Sequence, residues 1–454
     1  MFRTGQNPEM KPLRAGRYRR LAKVTWARWQ RRAIFLLGGL TVGAAGVALA
    51  LLSDRAMAAF ALLMGRFPYA AFLVTPVGFM LSVFLTNRYF QNSQGSGIPQ
   101  AIAARALTDQ TARGRLVSIR IAVGKILLTL LGLLCGASVG REGPTVQVGA
   151  SIMFAIGRMS PRRQPGLILA GAAAGVAAAF NTPLAGIVFG IEEMSRAFDV
   201  RTSGLIIAAV ALAGLTSLAL VGNYTYFGTN ASVLPFGFNW LAVPVCGVLG
   251  GLCGGVYSRV LIAMARGFPN KVGRAIKAYP LPFACACGIG VALCGLASGD
   301  TIFGTGYAQV KGMLENGTPL PWNFGILKFA ATTLSTVSGI PGGIFSPSLA
   351  VGAGLGANVA HLFPAAPLGA IVLLGMVSYF AGVVQAPITS FVIVTEMTQN
   401  HNMVLPLMVA SLIAYASSRL VCPEGVYHAL ARGFLQRETA LSDGITKNKQ
   451  PPSA

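Results

Sequence analysis

The amino-acid sequence predicts an all-α, polytopic membrane protein of two duplicated halves, in which tilted spanning helices alternate with helices that cross only part of the bilayer. Three observations carry this. Hydrophobic residues make up 54% of the 454 residues and charged residues only 11%, with a mean hydropathy of +0.63; soluble domains are about 25% charged. The apolar runs come in two lengths. Residues 33–53, 324–339 with its continuation, and 368–384 approach or exceed the ~20 residues that cross a core of about 30 Å. GLILAGAAAGVAAAF (166–180) and PLAGIVFGIEEM (183–194) are too short to cross alone. The third observation is an internal repeat.

GREGPTVQVGA (140–150) echoes GGIFSPSLAVGA (342–353): a glycine-rich turn leads to a proline, and five residues later comes Gly-Ala, from Pro144 to Gly149 and from Pro347 to Gly352. NTPLAGIVFGIEEM (181–194) echoes QAPITSFVIVTEMT (385–398), with a glutamate nine residues after the proline, Pro183 to Glu192 and Pro387 to Glu396. The order and the spacing hold at an offset near 204 residues. A basic N-terminal block (1–32), a first membrane repeat (33–230), a second (231–435) and a short tail (436–454) follow. The 56 glycines and 25 prolines suit broken membrane helices, in which neighbours or water re-satisfy freed backbone groups.

The net charge of +23 is concentrated at one end, with ten Lys/Arg against one Glu in residues 1–32. A basic block before the first span reads as cytoplasmic; the tail is expected on the same side. The basic segment and the apolar run after it are both too long for a signal peptide. Nucleic-acid binding is excluded, because it needs a basic soluble domain with stacking aromatics. The seven cysteines are scattered through apolar segments without zinc-ligand spacing, so neither metal nor cofactor is expected. The tail after Tyr427 leaves no room for a sizeable soluble regulatory domain.

Gly/Pro-interrupted segments at matching places in two halves point to a transport site near the bilayer midplane. Proline fits the first helical turn, where its missing N–H costs nothing, so Pro99, Pro144, Pro183, Pro347 and Pro387 each start a helix. A helix that starts at mid-depth aims unpaired N–H groups and its positive end at an anion. Of thirteen acidic residues, Glu142, Glu192, Glu193 and Glu396 lie in apolar segments. Glu192 and Glu396 match across the repeat and suit a shared structural role on helix ends or backbone amides. Glu193 faces Met397 in the repeat, and Glu142 faces Phe345 or a neighbour, so these two acids are solitary. Glu142 directly precedes the helix of Pro144. Ionised, it can occupy the anion site; protonated, it can swing away, and a proton is thereby coupled to an anion. Arg141 reads as an interfacial residue with its charge snorkelled to water. Lys125 and Lys328 lie in apolar runs with no partner assigned.

GSGIP (95–99), GREGP (140–144) and GIFSP (343–347), in that order, resemble the three selectivity-filter motifs of the CLC chloride channels and proton/chloride exchangers. The segments around IEEM and TEMT, and the late EGVYHAL, resemble the same family, over residues 35 to 435. The resemblance implies two inverted structural repeats and a homodimer with one pore per subunit in the bilayer of the cell (inner) membrane. It implies a filter of Gly95, Ser96, Gly97, Ile98 and Pro99; Gly140, Arg141, Glu142, Gly143 and Pro144; and Gly343, Ile344, Phe345, Ser346 and Pro347. Chloride, as substrate, would meet the hydroxyls of Ser96 and Tyr427 and the backbone N–H groups of Ile344 and Phe345. Glu142 would be the gating glutamate and Glu193 the internal proton-transfer glutamate. The acid at 193 favours exchange of chloride for protons, since family channels commonly carry an uncharged residue there. Serine at 96 favours chloride over nitrate, the motifs depart from the fluoride-exporting branch, and the absence of paired regulatory domains suggests a bacterial-type member. The second reading is a passive, voltage- or pH-gated chloride channel of the same family. An intramembrane hydrolase built on Ser338 lacks a recognisable histidine base, His361, His401 and His428 reading as interfacial or loop residues.

Overall fold

A computed structural model describes residues 13–158, 160–195, 200–222 and 225–447. The first twelve residues of the basic block and the last seven of the tail lie outside the described residues. The described chain is helical, and its β contacts are two isolated bridges.

Most helices of the first half have a twin in the second; Gln110–Leu116 has none. Ala71–Arg88 pairs with Pro280–Ser298, Ile98–Ala106 with Tyr307–Asn316, and Ile119–Leu134 with Phe324–Val337. Glu142–Gly157 pairs with Phe345–Ala360, both 16 residues, and Gln164–Phe180 with Leu368–Val384, both 17. The last two end on residues in the left-handed region, Asn181 (φ 56°) and Gln385 (φ 60°), and the following helices open on Pro183 and Pro387. Two isolated bridges join the halves, antiparallel between Gly140 and Gly343 and parallel between Gly95 and Pro341. The halves form two inverted repeats.

Seven helical segments among the described residues are long and apolar enough to cross a membrane, beginning with Trp29–Arg66. Basic residues 13–32 continue into that first span as part of one helix, Leu13–Arg66. Leu368–Val384 has near-spanning length by composition, yet it is buried in protein from Ala370 to Val384. A helix that is apolar all round faces protein rather than lipid when neighbours surround it. Its twin Gln164–Phe180 is equally enclosed.

Glycine makes this packing close. A Cβ on Gly149 would run into the carbonyl oxygen of Gly171, and one on Gly171 into that of Gly149. Gly352 and Gly375 repeat the contact in the second half.

The matched glutamates tie the halves together. Glu192 accepts the N–H groups of Ile388 (3.1 Å) and Thr389 (2.6 Å) and the Thr389 hydroxyl (2.7 Å). Glu396 accepts those of Leu184 (3.1 Å) and Ala185 (2.7 Å). Each carboxylate thus supplies acceptors to first-turn donors that have no partner within their own helix, at the end where the helix dipole favours negative charge.

Candidate anion and proton site

Backbone hydrogen bonds lace the three glycine-rich motifs into one junction. Gly140 and Gly343 exchange N–H···O bonds of 2.7 Å in both directions. Gly95 donates to the Ile340 carbonyl (3.3 Å) and accepts from the Gly342 N–H (3.0 Å). All three converge at Gly143, where a Cβ would lie 2.7 Å from the Ser96 carbonyl oxygen and 3.1 Å from the Gly343 Cα. Only glycine allows this approach. The starts of Glu142–Gly157 and Phe345–Ala360 therefore meet inside the protein, and their first-turn N–H groups have no carbonyl partner within their own helices.

Glu142 sits at this junction and is fully buried. Its Oε1 accepts from the Ser346 hydroxyl at 2.5 Å and the Tyr226 hydroxyl at 3.3 Å. Phe345 is locked in a ring cluster with Phe180, Phe189, Phe380 and Tyr427, at centroid distances of 4.8 to 6.1 Å. The buried Tyr427 hydroxyl has no hydrogen-bond partner among the described residues, and a buried donor in that position calls for an acceptor. A cavity of about 660 Å³ reaches Ser96, Ile344 and Tyr427, and Arg266, Arg432 and Arg437 also line it. A second cavity, of about 140 Å³, is lined by Asp54, Arg141, Tyr226 and Tyr307. Contacts run from the small cavity through Tyr226, Glu142, Ser346, Phe345 and Tyr427 to the large one.

Glu193 is 3% exposed and lies in a π-helical turn, Gly190–Ser195, that extends Pro183–Phe189. Its counterpart Pro387–Thr398 is a regular α-helix, so the repeat symmetry breaks at the solitary acid. Such wide turns recur at functional sites. His428 departs from the expected interfacial or loop position: its Nε2 lies 2.8 Å from the Glu193 carbonyl oxygen and 3.7 Å from its Oε1. Val426–Lys447 carries it, one residue beyond Tyr427.

Arg141 is not a snorkeller. It is 4% exposed, and its Nη1 donates to the Ala50 carbonyl (2.7 Å) and the Asp54 carboxylate (2.6 Å). Both acceptors lie about one turn apart on the first span, with the Asp54 carboxylate half exposed. The guanidinium also lies 5.7 Å from the centroid of the Tyr226 ring.

The two unassigned lysines are a matched pair. Lys125 Nζ donates to the Ser93 (2.5 Å) and Gly95 (2.7 Å) carbonyls, and Lys328 Nζ to those of Ile302 and Gly304, both at 2.7 Å. Each ties down a Gly-x-Gly loop in the same backbone form, Gly95 and Gly97 at φ 63° and 93°, Gly304 and Gly306 at 67° and 80°. In each, the middle hydroxyl oxygen accepts the N–H two residues on, Ile98 to Ser96 (3.4 Å) and Tyr307 to Thr305 (3.3 Å). Lys125 is thus what holds the Ser96 loop.

Comparisons with known proteins agree with this geometry. The family model described as "Voltage gated chloride channel" matches residues 78–419. A curated relative from Yersinia pestis bv. Antiqua (strain Angola), named H(+)/Cl(-) exchange transporter ClcA, is 32% identical over 83% of this chain and 80% of its own length. Among solved structures, a CLC-type fluoride/proton antiporter (22% identity, TM-score 0.75) covers 89% of this chain and 98% of its own. A slow cyanobacterial Cl-/H+ antiporter (23%, TM-score 0.75) covers 90% and 98%. The two structures share the fold with this chain while one is a fluoride and the other a chloride antiporter, so the backbone alone does not choose the ion. On its motifs, its duplicated architecture and these matches, the chain belongs to the voltage gated chloride channel (CLC) family.

Proposed function

We propose that this multi-pass membrane protein exchanges chloride for protons, with the Glu142 carboxylate and the anion taking turns at the junction of the two helix starts. The observation that carries the reading is Glu142 itself, buried where two helices present their N-termini and bonded to Ser346 of the third motif and to Tyr226. Seated, the carboxylate blocks the path between the two cavities. Protonated, it has less claim on the N–H groups, and chloride takes them. Ser96 and Tyr427 then supply hydroxyl donors, and Ile344 and Phe345 supply N–H groups. Amide and hydroxyl donors hold an anion firmly enough to select it and loosely enough to let it go.

Glu193 would load Glu142 with protons from the side of the large cavity, which we take as cytoplasmic together with both termini, following the basic N-terminal block. The ion named for the curated relatives and the serine at 96 favour chloride as substrate. No cofactor is invoked. Exposed apolar residues such as Leu184, Ile207, Leu215, Ile388 and Leu405 supply surface for the lipid of the inner membrane and for the second copy of a homodimer with one pore per subunit.

The test is simultaneous recording of chloride and proton flux from liposomes holding the purified protein under a chloride gradient. Exchange drives protons uphill; a passive channel moves chloride alone. Glu193→Gln is expected to stop proton flux while chloride still passes, and loss of both together contradicts a dedicated proton relay.

A further inference from the structure

Tyr226 lies on the segment that joins the two repeats, in a region without helical or strand periodicity. The segment is pinned to the end of Pro387–Thr398 by Phe227 N–H to the Met397 carbonyl (3.0 Å) and Asn230 N–H to that of Thr398 (3.1 Å). The Tyr226 ring is fixed edge-on by Phe180, Phe227 and Tyr307 at 5.2, 4.9 and 4.8 Å, with the Arg141 guanidinium over its face. One edge borders the small cavity. The hydroxyl reaches Glu142.

Three oxygens close a triangle there. Ser346 Oγ to Glu142 Oε1 is 2.5 Å, Tyr226 OH to Glu142 Oε1 is 3.3 Å, and Tyr226 OH to Ser346 Oγ is 3.2 Å. Each hydroxyl has one proton to give, and an ionised carboxylate oxygen can accept both. A protonated carboxyl, with its proton on Oε2, leaves Oε1 a neutral and weaker acceptor for the two hydroxyls. The arrangement fits the ionised, seated carboxylate better than the protonated one, and hydrogen bonds to an ionised acceptor are the strong ones. Neither group is a ligand for the anion in the proposed site.

We propose that Tyr226 and Ser346 form a hydroxyl latch on Glu142: two positioning residues that hold the carboxylate in its seat and so set how readily chloride displaces it. The latch rests on the reading of Glu142 as the anion's competitor. Its strength is tuned from the linker between the repeats, outside all three filter motifs. The phenol acts through the carboxylate and not on the anion.

A double-mutant cycle tests this. Chloride affinity of the purified, detergent-solubilised protein is measured by isothermal titration calorimetry for wild type, Tyr226→Phe, Ser346→Ala and Glu142→Ala, and for each latch variant combined with Glu142→Ala. Tyr226→Phe keeps the ring packing and deletes only the hydroxyl. Because chloride and the carboxylate compete, each latch variant is expected to tighten chloride binding, by about tenfold for the loss of one charge-assisted hydrogen bond. In the Glu142→Ala background the same substitutions are expected to change affinity less than about twofold, since coupled sites lose their interaction when one partner is gone. Unchanged affinity in the wild-type background overturns the latch. An equal change in both backgrounds also overturns it, because the hydroxyls would then act on the anion directly. If Glu142→Ala by itself leaves chloride affinity unaltered, the competition reading fails independently. Ser346→Ala serves as the second probe should Tyr226→Phe not fold.

Discussion

Replacing Lys125 with methionine removes an Nζ that donates closely to the Ser93 and Gly95 carbonyls and, at 3.5 Å, to that of Gln94, and its twin offers a matched control. A carbonyl left buried without its donor costs about 1–3 kcal/mol, so the Ser93–Gly95 loop loses about 2–6 kcal/mol of local stability. A second effect is electrostatic. Removing the ammonium bound to the Gly95 carbonyl takes a positive group from beside the Ser96 donor, and each ~1.4 kcal/mol of anion stabilisation lost in this way is about tenfold in affinity. Lys328→Met forfeits two close bonds, at 2.7 Å each, but its loop leads to Tyr307 rather than to Ser96. Both variants are expected to lower the midpoint of thermal unfolding in detergent by similar amounts. Only Lys125→Met is expected to weaken chloride binding at least tenfold by titration calorimetry, with Lys328→Met within about threefold of wild type. Equal weakening by both, or by neither, refutes the assignment of Lys125 to the anion loop.

Three further outcomes follow from the packing. Glu192→Gln and Glu396→Gln each replace a carboxylate on first-turn N–H groups by a neutral amide, and each is expected to cost about 1–3 kcal/mol in thermal stability without altering the proton-to-chloride ratio. A changed ratio at an unchanged unfolding temperature would put these acids on the proton path instead. Gly352→Ala drives a Cβ to 2.5 Å from the Gly375 carbonyl oxygen and is expected to destabilise by about 1–3 kcal/mol or more. Gly65→Ala, where a Cβ meets nothing within 4 Å, should be neutral or mildly stabilising in the same unfolding assay.

The parts of the fold that repeat were readable before any coordinates. Matched prolines and glycines located the helix starts, and the paired Glu192 and Glu396 were legible as helix-end acceptors because their spacing recurs. The lysines carried the same signal: Lys125 and Lys328 stand 203 residues apart, as Pro144 and Pro347 do, so the twin relation was there to be seen. Their partners were not, since those loops recur at a slightly different offset, Gly95 against Gly304. Arg141 escaped because its acceptors, Ala50 and Asp54, come from a span 87 to 91 residues earlier, and a charge beside a turn reads by default as interfacial. Tyr226 had no twin, no period and no motif. Its role depends on where a linker is pinned, which is tertiary information. Leu368–Val384 shows the converse limit: composition cannot tell a helix wrapped in protein from one wrapped in lipid.

The central claim is that one carboxyl group and one halide share the junction of Glu142–Gly157 and Phe345–Ala360. Crystals of the Glu142→Gln protein grown in bromide, read by anomalous diffraction, test it most directly. A bromide peak is predicted at the first N–H groups of both helices, at the junction that the Glu142 carboxylate occupies in the wild type. Bromide bound elsewhere along the path, with that junction empty while the variant still conducts chloride, would contradict it.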